Sequence, residues 1–308
     1  MKRGVDKGPD ALIEGGLVNV LGYDHVEVMQ CPQYPSDRPE YQVDSGVLKR
    51  PLAVSYNTQH LYQTIQRALK PGKEPVGYGL LPKIITLGGD HSIAMGSIAA
   101  MAQKYPDMAV LWVDAHADIN TPKTTVSGNL HGCPVSFLLQ HPDCQGMRGF
   151  DWMTTEAKKL DPKAGGSFLT PSRIGYIGLR DVEPLERKLL RELDIPAAYM
   201  SDIARCPEGI LGCLKKILAR IDPQNNRPLF VSFDIDGIDP RWAPSTGTPV
   251  ERGISLSEAL ELCKALRLTG RIVGMDLVEV NPEIGSQTDR ELTVQTALKV
   301  IQTLIGKQ

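Results

Sequence analysis

Short apolar runs alternate along the chain with segments whose apolar positions recur every three or four residues. Runs at 25–30 (HVEVMQ), 83–87 (KIITL), 109–113 (AVLWV), 173–178 (RIGYIG), 228–233 (PLFVSF) and 271–276 (RIVGMD) predict strands. They are rich in Ile and Val and mostly apolar on both faces, as in a sheet covered on both sides. Helical periodicity marks about 57–69, 92–104, 131–140, 184–193, 208–220, 255–268 and 287–305. Ser255 followed by Glu258 has capping-box spacing ahead of an apolar stripe. Strand–helix alternation predicts an α/β fold with a mostly parallel central sheet and helices on both faces. Loops rich in Pro and Gly are expected at 31–52, 141–172 and 237–253, and no linker or repeat divides residues 1–308, which read as a single domain.

Composition narrows the function classes. A charged fraction of 23 % and a net charge of -2 leave no electrostatic footprint for nucleic acid. No apolar run reaches the roughly 18 residues that cross a bilayer, so no membrane partner is expected. The N-terminal "MKRGVDKGPD" lacks an apolar signal region, and six cysteines are scattered without a CxxC pair. Both features predict a cytoplasmic protein with reduced thiols.

The chemistry lies at the ends of the strands, where open parallel sheets bind ligands. "GGDHS" supplies Asp90 and His91, "DAHAD" supplies Asp114, His116 and Asp118, "DIDGIDP" supplies Asp234 and Asp236, and "LVEVNP" supplies Glu279. Residues i, i+2 and i+4 of an extended chain face one side, so each cluster can converge. So many carboxylates at the rim of an apolar core repel one another and resist ionisation unless cations neutralise them. Asp114, Asp118, Asp234 and Asp236 carry four negative charges, matching two divalent ions, with His91 and His116 as imidazole ligands. An oxygen-rich set without thiolate suits Mn²⁺ over structural zinc. Water bridging two such ions ionises near neutral pH, which points to binuclear metal-dependent hydrolysis. No GxGxxG follows a strand, which sets aside a dinucleotide binder.

"GGDHS", "DAHADIN" and "SFDIDGIDP", in this order, resemble the ureohydrolases, and "DINTPKTTVSGNLHGCPVSF" with "GTPVERG" resembles arginase in particular. The resemblance runs from "RGVDKGP" to the last helix. It implies an eight-stranded parallel sheet, usually a homotrimer, and hydrolysis of L-arginine to L-ornithine and urea with two Mn²⁺ per subunit. It implies that His91, Asp114, Asp118 and Asp234 hold one ion and His116, Asp114, Asp234 and Asp236 the other, while Asp90 and Asp239 serve as turn or supporting residues. Asp118, His131 and Glu279 would stand at the reacting centre, Glu279 as guanidinium partner and His131 as proton shuttle. His131 is expected to open a helix, whose N-terminus depresses an imidazole pKa. Thr248 would lie near the guanidinium. Asn120, Ser127 and Asn129 would read the α-carboxylate, which agmatine lacks, and Asp181, Glu183 and Glu186 the α-amino side. His25, His60 and His141 carry no role.

Two departures qualify the resemblance. Glu183 stands where the family has an aspartate, and its extra methylene shifts the carboxylate by about 1.5 Å. The interior strand that precedes "RGVDKGP" in the family has no counterpart in this sequence, so the sheet is expected to lack its first strand. The alternatives are a ureohydrolase for another guanidino compound, such as agmatine or guanidinobutyrate, or an impaired or regulatory arginase-like protein.

Overall fold

The computed structural model describes residues 3–70, 83–160 and 166–307. In chain order the regular elements are α1 (Gly8–Glu14), α2 (Leu17–Leu21), α3 (Pro51–Ala68), β1 (Ile84–Leu87), α4 (Ala94–Lys104), β2 (Ala109–Val113), α5 (Pro134–Leu138), α6 (Asp151–Leu160) and β3 (Ile174–Leu179). They continue with α7 (Pro184–Glu192), β4 (Ala197–Tyr199), α8 (Met200–Arg205), α9 (Gly209–Ile221), β5 (Leu229–Asp234), α10 (Leu256–Leu268), β6 (Ile272–Val278) and α11 (Gln287–Ile305).

The strands form one parallel sheet in the order β1-β6-β5-β2-β3-β4. Alternate side chains divide between two cores. Val110, Trp112, Ile174, Tyr176 and Phe230 pack with α3, α4, α5 and α6 on one face. Ala109, Leu111, Val113, Val231 and Phe233 pack with α2, α9, α10 and α11 on the other. Covering both faces explains why β2, β3 and β5 are buried at every position. The predicted cap of α10 is present: the Ser255 hydroxyl accepts the Glu258 N–H at 3.3 Å, and the Glu258 carboxylate accepts the Ser255 N–H at 2.9 Å.

From β2 the chain winds outward through β3 and β4, whereas β5 and β6 lie on the other side of β2. The crevice between the carboxyl ends of β2 and β5 is therefore the switch point, where such sheets bind ligands. Val113 pairs with Phe233 across it, so the next residues, Asp114 and Asp234, leave the sheet at the same level.

Four expectations need correction. Residues 25–30 form no strand and are mostly exposed, because an extended segment persists only with a hydrogen-bonded partner. Among the described residues β1 pairs only with β6, so the sheet shows six strands where the resemblance implied eight. The expected loop 141–172 contains α6, whose Trp152, Met153 and Ala157 are buried. The expected helix 131–140 is a 3₁₀ turn, Leu130–Gly132, followed by the short α5.

Candidate metal centre

The segment after β2 is shaped to turn three side chains inward. The Asp114 Oδ1 accepts the His116 N–H at 2.7 Å, and the Asp234 Oδ1 accepts the Asp236 N–H at 2.8 Å. These local turns leave the Oδ2 of Asp114 and of Asp234 beside the His91 Nδ1. His91 follows a turn fixed by Asp90, whose carboxylate accepts from the Ser92 N–H and hydroxyl. Asp239 likewise serves its loop, accepting the backbone N–H groups of Arg241 and Gly253.

The six candidate ligands meet in two overlapping sets. The His91 Nδ1 lies 3.1 Å from Asp114 Oδ2, 3.1 Å from Asp118 Oδ2 and 3.2 Å from Asp234 Oδ2. His91 is buried, and this nitrogen has no hydrogen-bond partner. The His116 Nδ1 lies 3.4 Å from Asp114 Oδ1 and 3.2 Å from Asp236 Oδ2. Adjacent ligands of an octahedral ion with bonds of about 2.1 Å stand about 3.0 Å apart, so these spacings fit divalent cations. Both sets, His91–Asp114–Asp118 and Asp114–His116–Asp236, share Asp114 and hold no thiolate.

The electrostatics have the same sense. Burial, with the neighbouring Asp114 charge, pushes the Asp118 carboxyl up to about 6, and burial with Asp236 and Asp114 raises Asp234 well above the carboxylate range. Burial opposes protonation of His91 and His116, but the surrounding carboxylates outweigh it and raise both. Burial would raise Asp114 too, yet the adjacent His116 and His91 imidazoles hold it low. A cluster that attracts positive charge this strongly is suited to bound cations.

Glu279 and His131 adjoin the first set. The Glu279 Oε1 lies 3.1 Å from His131 Nδ1 and accepts the His91 N–H at 3.1 Å. The His131 pKa is not depressed as a helix N-terminus would suggest. Burial works to lower it, but the Glu279 carboxylate outweighs burial and raises it to about 9. Thr248 donates its hydroxyl to Asp236 Oδ2 at 2.9 Å, which ties it to the second ligand set.

The expected substrate loop lies beside this centre. Asn120 is buried and accepts the Thr124 hydroxyl at 2.8 Å, so its side-chain oxygen braces the loop. Ser127 is exposed and its hydroxyl accepts the Asn129 N–H at 3.2 Å, while Asn129 is half-buried. Gly128 between them has φ 72°, and a Cβ there would fall 1.7 Å from the Val47 carbonyl oxygen. Asp181 is exposed, with its carboxylate 3.9 Å from the His116 Nε2, and Glu183 is exposed at the N-cap of α7. Glu186 departs from expectation: it is buried, and both carboxylate oxygens accept backbone N–H groups, from Ile119 and Glu183, each at 3.1 Å. His60 stacks on Tyr56 and His141 accepts the Asp143 N–H, whereas His25 is exposed.

Several supporting residues escaped the sequence reading. The Trp112 indole N–H donates to Asp114 Oδ2 at 2.9 Å, and its ring stacks on His91. The His91 Nε2 lies 2.9 Å from the Ser232 hydroxyl, which reaches the buried Asp276 carboxylate at 3.4 Å. Arg180 donates to the carbonyls of Gly178, Asp236, Gly237, Ile238 and Val250, binding the end of β3 to the loop after β5. Polar residues inside apolar strands were the available signal for Ser232 and Asp276.

Known proteins are similar to this chain over nearly its whole length. Arginase of Eremothecium gossypii is 39% identical over 317 aligned residues, covering 99% of this chain and 72% of the relative. Arginase from Bacillus caldovelox superposes with a TM-score of 0.81 at 29% identity, covering 100% of this chain and 94% of that one. Entamoeba histolytica arginase, solved in complex with L-ornithine, gives a TM-score of 0.79 at 28% identity, covering 100% of this chain and 94% of the other. A sequence model of the arginase family matches residues 1–306, and with that match and the E. gossypii relative this chain belongs to the arginase family.

Proposed function

We propose that this chain hydrolyses L-arginine to L-ornithine and urea as a single domain over residues 1–308, with two Mn²⁺ per subunit. The observation that carries the reading is the buried His91 Nδ1, without a hydrogen bond and ringed by three carboxylate oxygens at 3.1–3.2 Å, beside the Glu279–His131 pair. His91, Asp114, Asp118 and Asp234 would hold one ion, and His116, Asp114, Asp234 and Asp236 the other. Bound there, the ions would supply an acidified water as nucleophile.

The protein's own groups do the rest. A guanidinium is planar, cationic and a poor electrophile, so it needs a carboxylate partner and strict alignment. Glu279 fills that role with Oε2, since its Oε1 already accepts from His91. Asp118 would accept a hydrogen bond from the attacking water, and Thr248 would border the guanidinium. As water adds to the guanidinium carbon and the carbon–nitrogen bond breaks, the departing amine needs a proton. His131, held protonated at neutral pH by Glu279, can deliver it. Asn120, Ser127 and Asn129 read the α-carboxylate, and Asp181 and Glu183 the α-amino group. The protein would act in the cytoplasm, as a homotrimer. Among the described residues no helix is long and apolar enough to cross a membrane.

Urea release from L-arginine, agmatine and guanidinobutyrate, with and without Mn²⁺, tests the proposal. Release from arginine only when Mn²⁺ is supplied supports it. No urea from arginine despite two bound ions would overturn it in favour of an impaired or regulatory protein, and a preference for another substrate would relocate the specificity.

A further inference from the structure

Asp118 combines two demands: its carboxylate joins the first ligand set, and its backbone lies at φ 49°. The left-handed region is disfavoured for an L-residue, so neighbouring contacts must hold it there. Four hydrogen bonds surround the turn. The Asp118 carbonyl accepts the Val135 N–H at 3.1 Å, and the Asn120 N–H donates to the Gly132 carbonyl at 3.0 Å. The Ile119 carbonyl accepts the Ser136 hydroxyl at 2.6 Å, and the Ile119 N–H donates to Glu186 Oε1 at 3.1 Å. Three of these partners lie in the chain just beyond the loop, at 132–136. Only Glu186 reaches in from a distant element, α7.

Glu186 is itself placed at a cost. It is 4% exposed, and no ion pair joins it to a cation among the described residues. Burial, with the nearby Asp118 charge, pushes its carboxyl up to about 7. Its second oxygen accepts the Glu183 N–H at 3.1 Å, so one side chain spans the N-terminus of α7 and the ligand loop.

We propose that Glu186 is a positioning residue: through Ile119 it fixes the left-handed turn that aims Asp118 into the metal centre, and through Glu183 it locks the 181–183 segment to the same loop. The inference rests on Asp118 being a metal ligand. Glu186 acts by the reach of its carboxylate oxygens, not by charge and not by contact with substrate.

Three variants separate these causes. Glu186→Gln keeps the length and, with its single amide oxygen, the acceptor for Ile119, but gives up the charge and the acceptor for the Glu183 N–H. Glu186→Asp keeps the charge near the helix N-terminus but withdraws the oxygens by about 1.5 Å. Glu186→Ala removes both. Mn²⁺ titration of the metal-free proteins, without arginine, should give affinity within about threefold of wild type for Gln. For Asp and Ala it should fall about 10–100-fold, the range for lost ligand support. At saturating Mn²⁺, kcat should fall in Asp and Ala, and KM should rise with it as the 181–183 segment loosens. Wild-type affinity in Asp with loss in Gln would assign the effect to charge and overturn the proposal. Raised KM with unchanged Mn²⁺ affinity in every variant would make Glu186 a substrate reader and overturn it equally. Should Ala or Asp fail to fold, a tenfold affinity loss in Gln alone suffices to reject it. Absent Mn²⁺ binding by the wild-type chain would instead defeat the metal reading beneath it.

Discussion

The Oε1 of Glu279 holds His131 and His91 together, lying 3.1 Å from the His131 Nδ1 and accepting the His91 backbone N–H at 3.1 Å. Glu279 meets this geometry at φ 63°, directly after β6, with its own N–H donated to the Gly89 carbonyl at 2.9 Å. One carboxylate thus links the candidate acid to the strand end that carries a candidate ligand.

That link has a pH signature in the metal-free chain. The folded His131 pKa, about 9, lies above the ordinary value of 6.5, so the folded state binds this proton more tightly than the unfolded chain. The stability it contributes is complete below pH 6.5 and is lost as pH rises through 9. Glu279→Gln should bring the imidazole back towards its ordinary pKa and flatten that loss. Urea unfolding of both proteins between about pH 6 and 10, with an NMR titration of His131, checks it; parallel pH profiles would refute the coupling.

Trp112 contacts two candidate ligands. Its ring lies 4.1 Å from the His91 ring at an interplanar angle of 14°, while its N–H donates to Asp114 Oδ2 at 2.9 Å. Trp112→Phe keeps an aromatic face and removes the donor, leaving the Asp114 oxygen short of one partner. Mn²⁺ affinity should fall about tenfold and stability by about 1–3 kcal/mol. Metal titration and denaturant unfolding measure the two effects separately; an unchanged Mn²⁺ affinity would show that the indole N–H is dispensable.

The six candidate ligands were legible because each follows a buried strand in a cluster of polar residues, although Asp114, His116 and Asp118 meet through a turn and a left-handed Asp118 and not through extended alternation. The same logic could not distinguish a polar support from a core position: Trp112 and Ser232 sit within apolar runs, and the Ser232 partners, His91 and Asp276, lie far away in the chain. Residues 25–30 show the opposite failure, since alternation of Val26 and Val28 with polar neighbours describes a strand only if another strand is there to pair. The backbone task of Glu186 was equally hidden, because Ile119 is 67 residues away. The missed helix α6 had a stripe, Trp152, Met153 and Ala157, obscured by flanking glycines.

Arg180 should matter for the second ligand set without touching it. Its guanidinium reaches the Asp236 carbonyl at 2.6 Å and the Val250 carbonyl at 2.8 Å, tying the base of Asp236 to the loop that carries Thr248. Lysine offers a point charge with no planar fork, so Arg180→Lys should cost about 2–3 kcal/mol of stability. It should also open 240–252 to limited proteolysis. Denaturant midpoints and digestion patterns test this, and wild-type values for both would remove Arg180 from the list of supports.

Glu183, proposed above to read the α-amino group, offers a direct test of specificity. Pro184 at the start of α7 and the Glu186 carboxylate on its N–H fix its backbone, while its side chain is exposed. Shortening it therefore moves only the carboxylate, by about 1.5 Å. Glu183→Asp supplies the aspartate that the resemblance implies at this position, and KM for L-arginine should fall a few-fold with Mn²⁺ affinity and kcat nearly unchanged. Agmatine, which keeps the amino group, should follow arginine, whereas guanidinobutyrate, which lacks it, should not respond. An equal change for guanidinobutyrate would mean that Glu183 acts on the loop as a whole and not on the amino group.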